Sequence, residues 1–161
     1  MYKVIDNFLD ESEMNIIEET IMSNTFPWFY LNSVTYHVGE NDEPMYFHLL
    51  VRDGVNNSEK FTDLLIDKLV KKVNMQGVFR AKINSYTRTK ELWKSNWHFD
   101  NKDYKIALFY INDNDGYTEL KNITKIYSKR NRLLLFNGDI EHRATNCTDA
   151  KRRINININY A

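Results

Sequence analysis

Apolar residues recur at helical intervals in the first half of the chain and alternate in the second half. Met14, Ile17 and Ile21 fall three and four apart, which predicts a helix over residues 11–23 with one face packed on a sheet. Asp10 stands where an N-cap belongs, and Glu13 completes a capping-box arrangement. Pro27 biases its predecessor to extended backbone and closes that region. A second helix is predicted after Ser58, where Phe61, Leu65, Leu69 and Val73 form one stripe. A short strand is expected over residues 2–8. Residues 37–57 are polar and broken by Gly39, Pro44 and Gly54, and read as a long loop holding one short strand near residues 45–51.

After Gly77 the period changes to that of strands, predicted at residues 78–87, 105–112, 123–129, 132–137 and 152–160. Residues 154–159 alternate Ile and Asn without a break, so this strand has one greasy and one polar face. Helices followed by a run of strands imply an α+β, mainly β domain, with helices over one face of a sandwich or open barrel. No internal repeat or second domain is visible. Residues 1–161 are read as a single domain, with 1–77 as support and 78–161 as core.

Charge narrows the partners. Lysines plus arginines equal aspartates plus glutamates, 22 each, so no overall field draws the chain to nucleic acid or an anionic membrane, and neither is expected as a partner. The cluster Lys151-Arg152-Arg153 is too short for a binding tail, and Lys129-Arg130-Asn131-Arg132 reads as a charged hairpin turn. Cys147 is the single cysteine, so no internal disulfide can form and a reducing, cytoplasmic setting is the expectation. No apolar run approaches a membrane span, and the first residues lack a signal-peptide pattern.

The chemistry concentrates in Trp97-His98-Phe99-Asp100. On a strand or its exit, residues i and i+2 point to the same side, so His98 and Asp100 can reach one ion. His142 follows the turn Asn137-Gly138-Asp139 and supplies a second imidazole. Two histidines and one carboxylate suit non-haem Fe(II), because they occupy one face of an octahedron and leave positions open for co-substrate and dioxygen. An arginine beyond the second histidine offers a counter-charge for a dicarboxylate. The competing reading makes His98 a polar loop residue and Asp100 a turn former beside Asn101. His37 and His48 read as polar or hydrogen-bonded loop residues, and Trp93 and Trp97 as core packing or as walls of a substrate mouth.

Residues 78–160 resemble the catalytic core of the Fe(II)/2-oxoglutarate-dependent oxygenases, in their prolyl-hydroxylase-like branch. The resemblance rests on Asn84-Ser85-Tyr86, His98-Phe99-Asp100, Phe109-Tyr110-Ile111-Asn112, Asp115-Gly116-Tyr117-Thr118, His142 and Arg152, which keep the family's order. It implies a double-stranded β-helix, or jelly roll, with the N-terminal helices packed on one sheet. It implies His98, Asp100 and His142 as ligands of Fe(II), and Arg152 with Tyr110 on the distal carboxylate of 2-oxoglutarate. Tyr86 is implied to line the pocket near the metal. Residues 37–57 read either as a substrate lid, as the corresponding region is in related hydroxylases, or as a disordered loop.

The implied reaction consumes dioxygen and 2-oxoglutarate, releases succinate and carbon dioxide, and hydroxylates an unactivated C–H bond, with ascorbate as a supporting reductant. The substrate expected from the branch is a peptidyl residue such as proline. Alternatives are a free amino acid or small metabolite, or a catalytically inactive metal-binding jelly roll. Asp100 favours hydroxylation over halogenation, because related halogenases lack that carboxylate. The adjacent arginines leave a choice. If Arg152 faces the barrel, so do Ile154, Ile156 and Ile158; if Arg153 does, Asn155, Asn157 and Asn159 accompany it. Family spacing and a dry core favour Arg152.

Overall fold

The computed structural model describes residues 1–35 and 43–161. His37 and the start of the expected lid lie outside the described residues.

The period-two segments assemble into a large antiparallel sheet. In chain order its strands are β1 (Tyr2–Ile5), β2 (Phe29–Leu31), β3 (Met45–Arg52), β4 (Val55–Asn56), β5 (Val78–Thr87), β6 (Lys105–Tyr110), β9 (Arg132–Asn137) and β11 (Arg152–Tyr160). The spatial order is β1-β9-β6-β11-β5-β3-β2, with β4 paired to β3. The alternating strand β11 lies between β5 and β6, hydrogen-bonded to both.

Its two faces are used differently from the sequence expectation. Ile154, Ile156 and Ile158 pack with Met14, Ile17 and Ile21 of α1 (Glu11–Met22) and with Leu65, Ile66 and Leu69 of α2 (Glu59–Val73). The helices thus cover the isoleucine face, and the polar face turns to the barrel interior. The dry-core argument misplaced these residues because the apolar face of β11 seals the layer between sheet and helices.

A second sheet closes the interior. Its strands are β7 (Tyr117–Leu120), β8 (Thr124–Tyr127) and β10 (His142–Ala144), in the order β10-β7-β8. Residues 94–98 run along β10 through antiparallel bridges Lys94–Thr145 and His98–His142. Between the sheets, Ile106, Leu108 and Tyr110 of β6 meet Leu120, Ile126, Leu134 and Phe136. Two facing antiparallel sheets, between which the chain crosses after β6, β8, β9 and β10, form a double-stranded β-helix.

Local chemistry explains the departures from the sequence pattern. Within the expected loop over residues 37–57, the short strand near 45–51 is β3, with Met45, His48, Leu50 and Val51 buried, and the segment after it pairs back as β4 where no strand was expected. A register shift between Leu49 and Val51 puts two apolar residues in succession on buried sites and blurs the alternation. Strands β7 and β10 are only four and three residues long, too short for a period to register. Ser58 precedes α2, but its hydroxyl meets His48 Nε2 at 2.8 Å and makes no cap hydrogen bond. At α1 the Glu13 carboxylate accepts from the Asp10 backbone N–H at 3.4 Å, as a capping box requires.

The charged turn between β8 and β9 fastens the N-terminal segment to the barrel. Arg130 donates to Glu18 and Asn15 at 2.5 and 2.6 Å, and buried Asn131 exchanges 2.8 Å hydrogen bonds with the Leu9 backbone. Among the described residues no helix is long and apolar enough to cross a membrane.

Candidate metal centre

His98 leads out of the extended segment beside β10, and His142 opens that strand. Their backbones exchange hydrogen bonds of 3.0 and 2.9 Å, which sets the imidazole rings 4.5 Å apart, centroid to centroid. Asp100, two residues on, joins them, and one ligand atom from each of the three lies within 4.8 Å of the others. The donor set fits a divalent metal. His98 Nδ1 faces the Asn96 carbonyl at 3.0 Å and His142 Nδ1 the Ile140 carbonyl at 3.1 Å. A carbonyl can only accept, so each ring carries its proton on Nδ1 and keeps Nε2 as a free donor for a metal.

The Asp100 carboxylate is oriented by the polar face of β11. Asn157 Nδ2 and Asn159 Nδ2 donate to its Oδ2 at 2.7 and 3.3 Å, and Arg80 stands 4.0 Å from Oδ1. Burial alone would raise its pKa, but His142, His98, Asn157 and Arg80 outweigh that and hold Asp100 at about 2. Burial lowers the pKa of His142, against the pull of Asp100, which favours the neutral imidazole that ligates metal.

The two arginines separate cleanly. Arg152 points away from the barrel, its guanidinium 5.6 Å from the Trp28 ring and half-buried near the end of α1. Arg153 faces the interior and is fully buried. Its guanidinium donates to Ser128 Oγ at 2.7 Å, the Thr145 carbonyl at 3.0 Å and Thr118 Oγ1 at 2.9 Å. Tyr86 and Tyr110 flank it, their ring centroids 5.3 and 5.6 Å away. The sequence preference for Arg152 is therefore corrected: position 153 presents its charge to the barrel.

Among the described residues no carboxylate lies in ion-pair range of Arg153. A buried guanidinium held only by neutral acceptors, with N–H groups left over, fits the carboxylate of a bound anion. Tyr110 donates its hydroxyl to the same Thr118 Oγ1 at 2.9 Å. Burial pushes Tyr86 up to about 12 despite Arg153, so its phenol stays protonated. Gly116 lies against this cradle; a Cβ there would stand 2.2 Å from the Asn146 carbonyl and 2.6 Å from Arg153 Cδ.

A small cavity is walled by His98 and His142 together with Tyr86 and Thr118, the residues that touch Arg153. It adjoins a larger one of about 510 Å³, whose walls include Trp97, His98, Asp100, Arg80, Lys82 and Glu141. Trp97 lines this larger cavity, while Trp93 packs on Tyr86 at 5.9 Å. Burial, with Arg80 adding to it, lowers Lys82 to about 8 against the attraction of Asp100. His48 has both ring nitrogens engaged, by the Pro27 carbonyl and Ser58, and plays a structural part. Arg80, Lys82 and the asparagines of β11 escaped the sequence reading. The signal was there, since Arg80, Lys82, Asn84 and Tyr86 share one parity of β5.

No protein-family model and no curated protein matches the sequence. Solved structures match over nearly the whole chain. A prolyl hydroxylase from Trichoplax adhaerens, in complex with a hypoxia inducible factor oxygen degradation domain peptide, aligns with 99% of this chain and 82% of its own at 15% identity and a TM-score of 0.72. A Pseudomonas putida prolyl-4-hydroxylase covers 99% and 91% at 13% identity and TM-score 0.68. The epimerase SnoN from nogalamycin biosynthesis, in complex with Fe3+ and alpha ketoglutarate, covers 99% and 78% at 11% identity and TM-score 0.64. The fold is that of the 2-oxoglutarate and Fe(II)-dependent oxygenases. Within it, the likeness extends to prolyl hydroxylases and to an epimerase alike.

Proposed function

We propose that this chain is an Fe(II)- and 2-oxoglutarate-dependent oxygenase, one domain over residues 1–161, that hydroxylates an unactivated C–H bond and releases succinate and carbon dioxide. The observation that carries the reading is Arg153, a fully buried cation without a carboxylate partner among the described residues, beside a cavity walled by His98 and His142.

His98 Nε2, His142 Nε2 and an Asp100 oxygen hold the metal, and the Asn157 amide fixes the carboxylate while its charge is drawn to the ion. Arg153 seats the distal carboxylate of 2-oxoglutarate, with the Tyr110 and Thr118 hydroxyls turning toward the same oxygens. Tyr86, protonated at any physiological pH, closes the cavity beside them. Bound iron with 2-oxoglutarate and dioxygen supplies the oxidising power. The residues of this chain set the geometry and exclude water.

The substrate expected from the likeness to prolyl hydroxylases is a peptidyl residue such as proline. A free amino acid or small metabolite is the alternative, and the charged Arg80 and Lys82 on the cavity wall suit a polar one. The test is succinate formation from 2-oxoglutarate with Fe(II) and ascorbate, read beside mass spectra of candidate peptides and small molecules for the gain of one oxygen. Turnover should depend on iron and vanish in His142→Ala. Succinate formation that persists in His142→Ala, or its absence from the wild type loaded with iron, would overturn the assignment.

A further inference from the structure

The inner face of β5 carries more positive charge than the metal and co-substrate sites require. Arg80, Lys82, Asn84 and Tyr86 lie opposite Asn159, Asn157, Asn155 and Arg153 of β11, so the two strands form one polar wall. Arg153 and Tyr86 serve the co-substrate end of this wall. Arg80 and Lys82 stand at the other end, facing the cavity of about 510 Å³.

Among the described residues neither cation has a counter-charge of its own. Lys82 is 9% exposed, and among the described residues no hydrogen bond or ion pair reaches its ammonium; its near neighbour is the Phe47 ring at 6.0 Å. Arg80, partly buried, reaches only Asp100 among the described residues, at the 4.0 Å limit of an ion pair. Asp100 already accepts from Asn157 and Asn159 and is committed to the metal. The other acid among the described wall residues, Glu141, is paired with Lys121. Once a divalent metal meets Asp100 and a dicarboxylate meets Arg153, those charges balance and leave Arg80 and Lys82 without counter-charge among the described residues. A buried ammonium such as that of Lys82 is costly in a folded protein unless a ligand's charge meets it, and Arg80 beside it adds a second positive charge to the same wall.

We propose that Arg80 and Lys82 bind an anionic group, carboxylate or phosphate, carried by the substrate to be oxidised. The inference rests on the oxygenase reading above and narrows its substrate. The contact between Arg80 and Asp100 places this anion beside the metal, so the oxidised carbon lies only a few bonds from the acidic group.

The experiment uses protein loaded with Mn(II) and N-oxalylglycine, which hold the metal and co-substrate sites without turnover. Phosphate and, separately, acetate are titrated in. Paramagnetic broadening of the phosphorus or methyl-proton resonance reports an anion seated near the metal. The expected result is saturable broadening by at least one anion in the wild type. Its affinity should fall about tenfold or more in both Lys82→Met and Arg80→Gln, the weight of one charge-assisted contact. N-oxalylglycine affinity should stay within about twofold. The stronger anion distinguishes a phosphate-bearing from a carboxylate-bearing substrate. No saturable broadening with either anion overturns the proposal. So does equal broadening in wild type and variants, which means direct ligation of the metal, and so does loss of N-oxalylglycine instead. If Mn(II) and N-oxalylglycine fail to raise the melting temperature of the wild type, the oxygenase reading itself falls and takes this one with it.

Discussion

At the scale of single residues, the decisive contrast is between two neighbouring arginines of like chemistry and opposite surroundings. Arg153 is enclosed by hydroxyls, a carbonyl and two aromatic rings, while Arg152 lies half-buried on Trp28. Removing one partner of a buried charge pair costs about 2–5 kcal/mol, so Arg153→Leu should weaken 2-oxoglutarate binding by about thirtyfold or more. Arg152→Leu should change it by less than about threefold. Calorimetric titration of the Mn(II)-loaded variants decides, and equal losses would remove Arg153 from its role. The candidate metal residues were legible in the sequence because i and i+2 on an extended segment share a side and a distal histidine follows a turn. The arginine was not legible, because both faces of β11 are buried. Hydrophobicity identifies the buried face of a strand only when the other face meets water.

At the scale of elements, the helices and long strands followed from periodicity, whereas β7 and β10 are too short to show one. The bulged strand β3 showed only as a short apolar patch, because its register shift breaks the alternation. The turn between β8 and β9 was read as merely charged, yet its side chains tie β1 and α1 to the barrel. Asp6 accepts from Arg132 Nε and Nη2 at 2.6 and 3.0 Å and from Lys129 Nζ at 3.1 Å. Hydrogen bonds from Arg132, then Lys129, and their charges overcome partial burial and lower Asp6 from 3.8 to about 2. A depressed carboxylate contributes its stability above its unfolded pKa and loses it as the pH falls through the folded one. This tie is therefore complete above about pH 4 and fades toward pH 2. Because Asp6 is 36% exposed at its side chain, solvent screening keeps the effect near or below about 1 kcal/mol. Urea unfolding of Asp6→Asn should show a smaller loss of stability between pH 4 and 2 than the wild type. An unchanged acid limb would show that the tie carries no weight.

At the scale of the whole molecule, metal and co-substrate binding should appear as stability, since ligands that bind only the native state raise its unfolding free energy. At about a hundred times the dissociation constant the gain is about 2.7 kcal/mol, which for a chain of this size raises the melting temperature by roughly 5–10 °C. The increment should shrink as the pH falls from 8 to 5. Asp100, held at about 2, remains ionised throughout, whereas a histidine must be neutral to ligate metal. The metal-free protein should lose stability in the same direction. The pKa of His142 is depressed by burial below its ordinary 6.5, so below about pH 6.5 the unfolded chain takes up a proton that the folded chain refuses. Differential scanning fluorimetry across this range, with and without Mn(II), checks both effects. A metal increment that does not vary with pH would contradict ligation by histidine.

The central place of β11 has a consequence for how this gene can change. One strand carries in antiphase the isoleucines that anchor the helices and the polar side chains that hold the site. Inserting or deleting a single codon within Arg152–Tyr160 would exchange the two sets beyond the lesion, aiming asparagine at the helices and isoleucine at the metal. Lineages of this protein should therefore vary in length at its turns, and within this strand should change only by substitution.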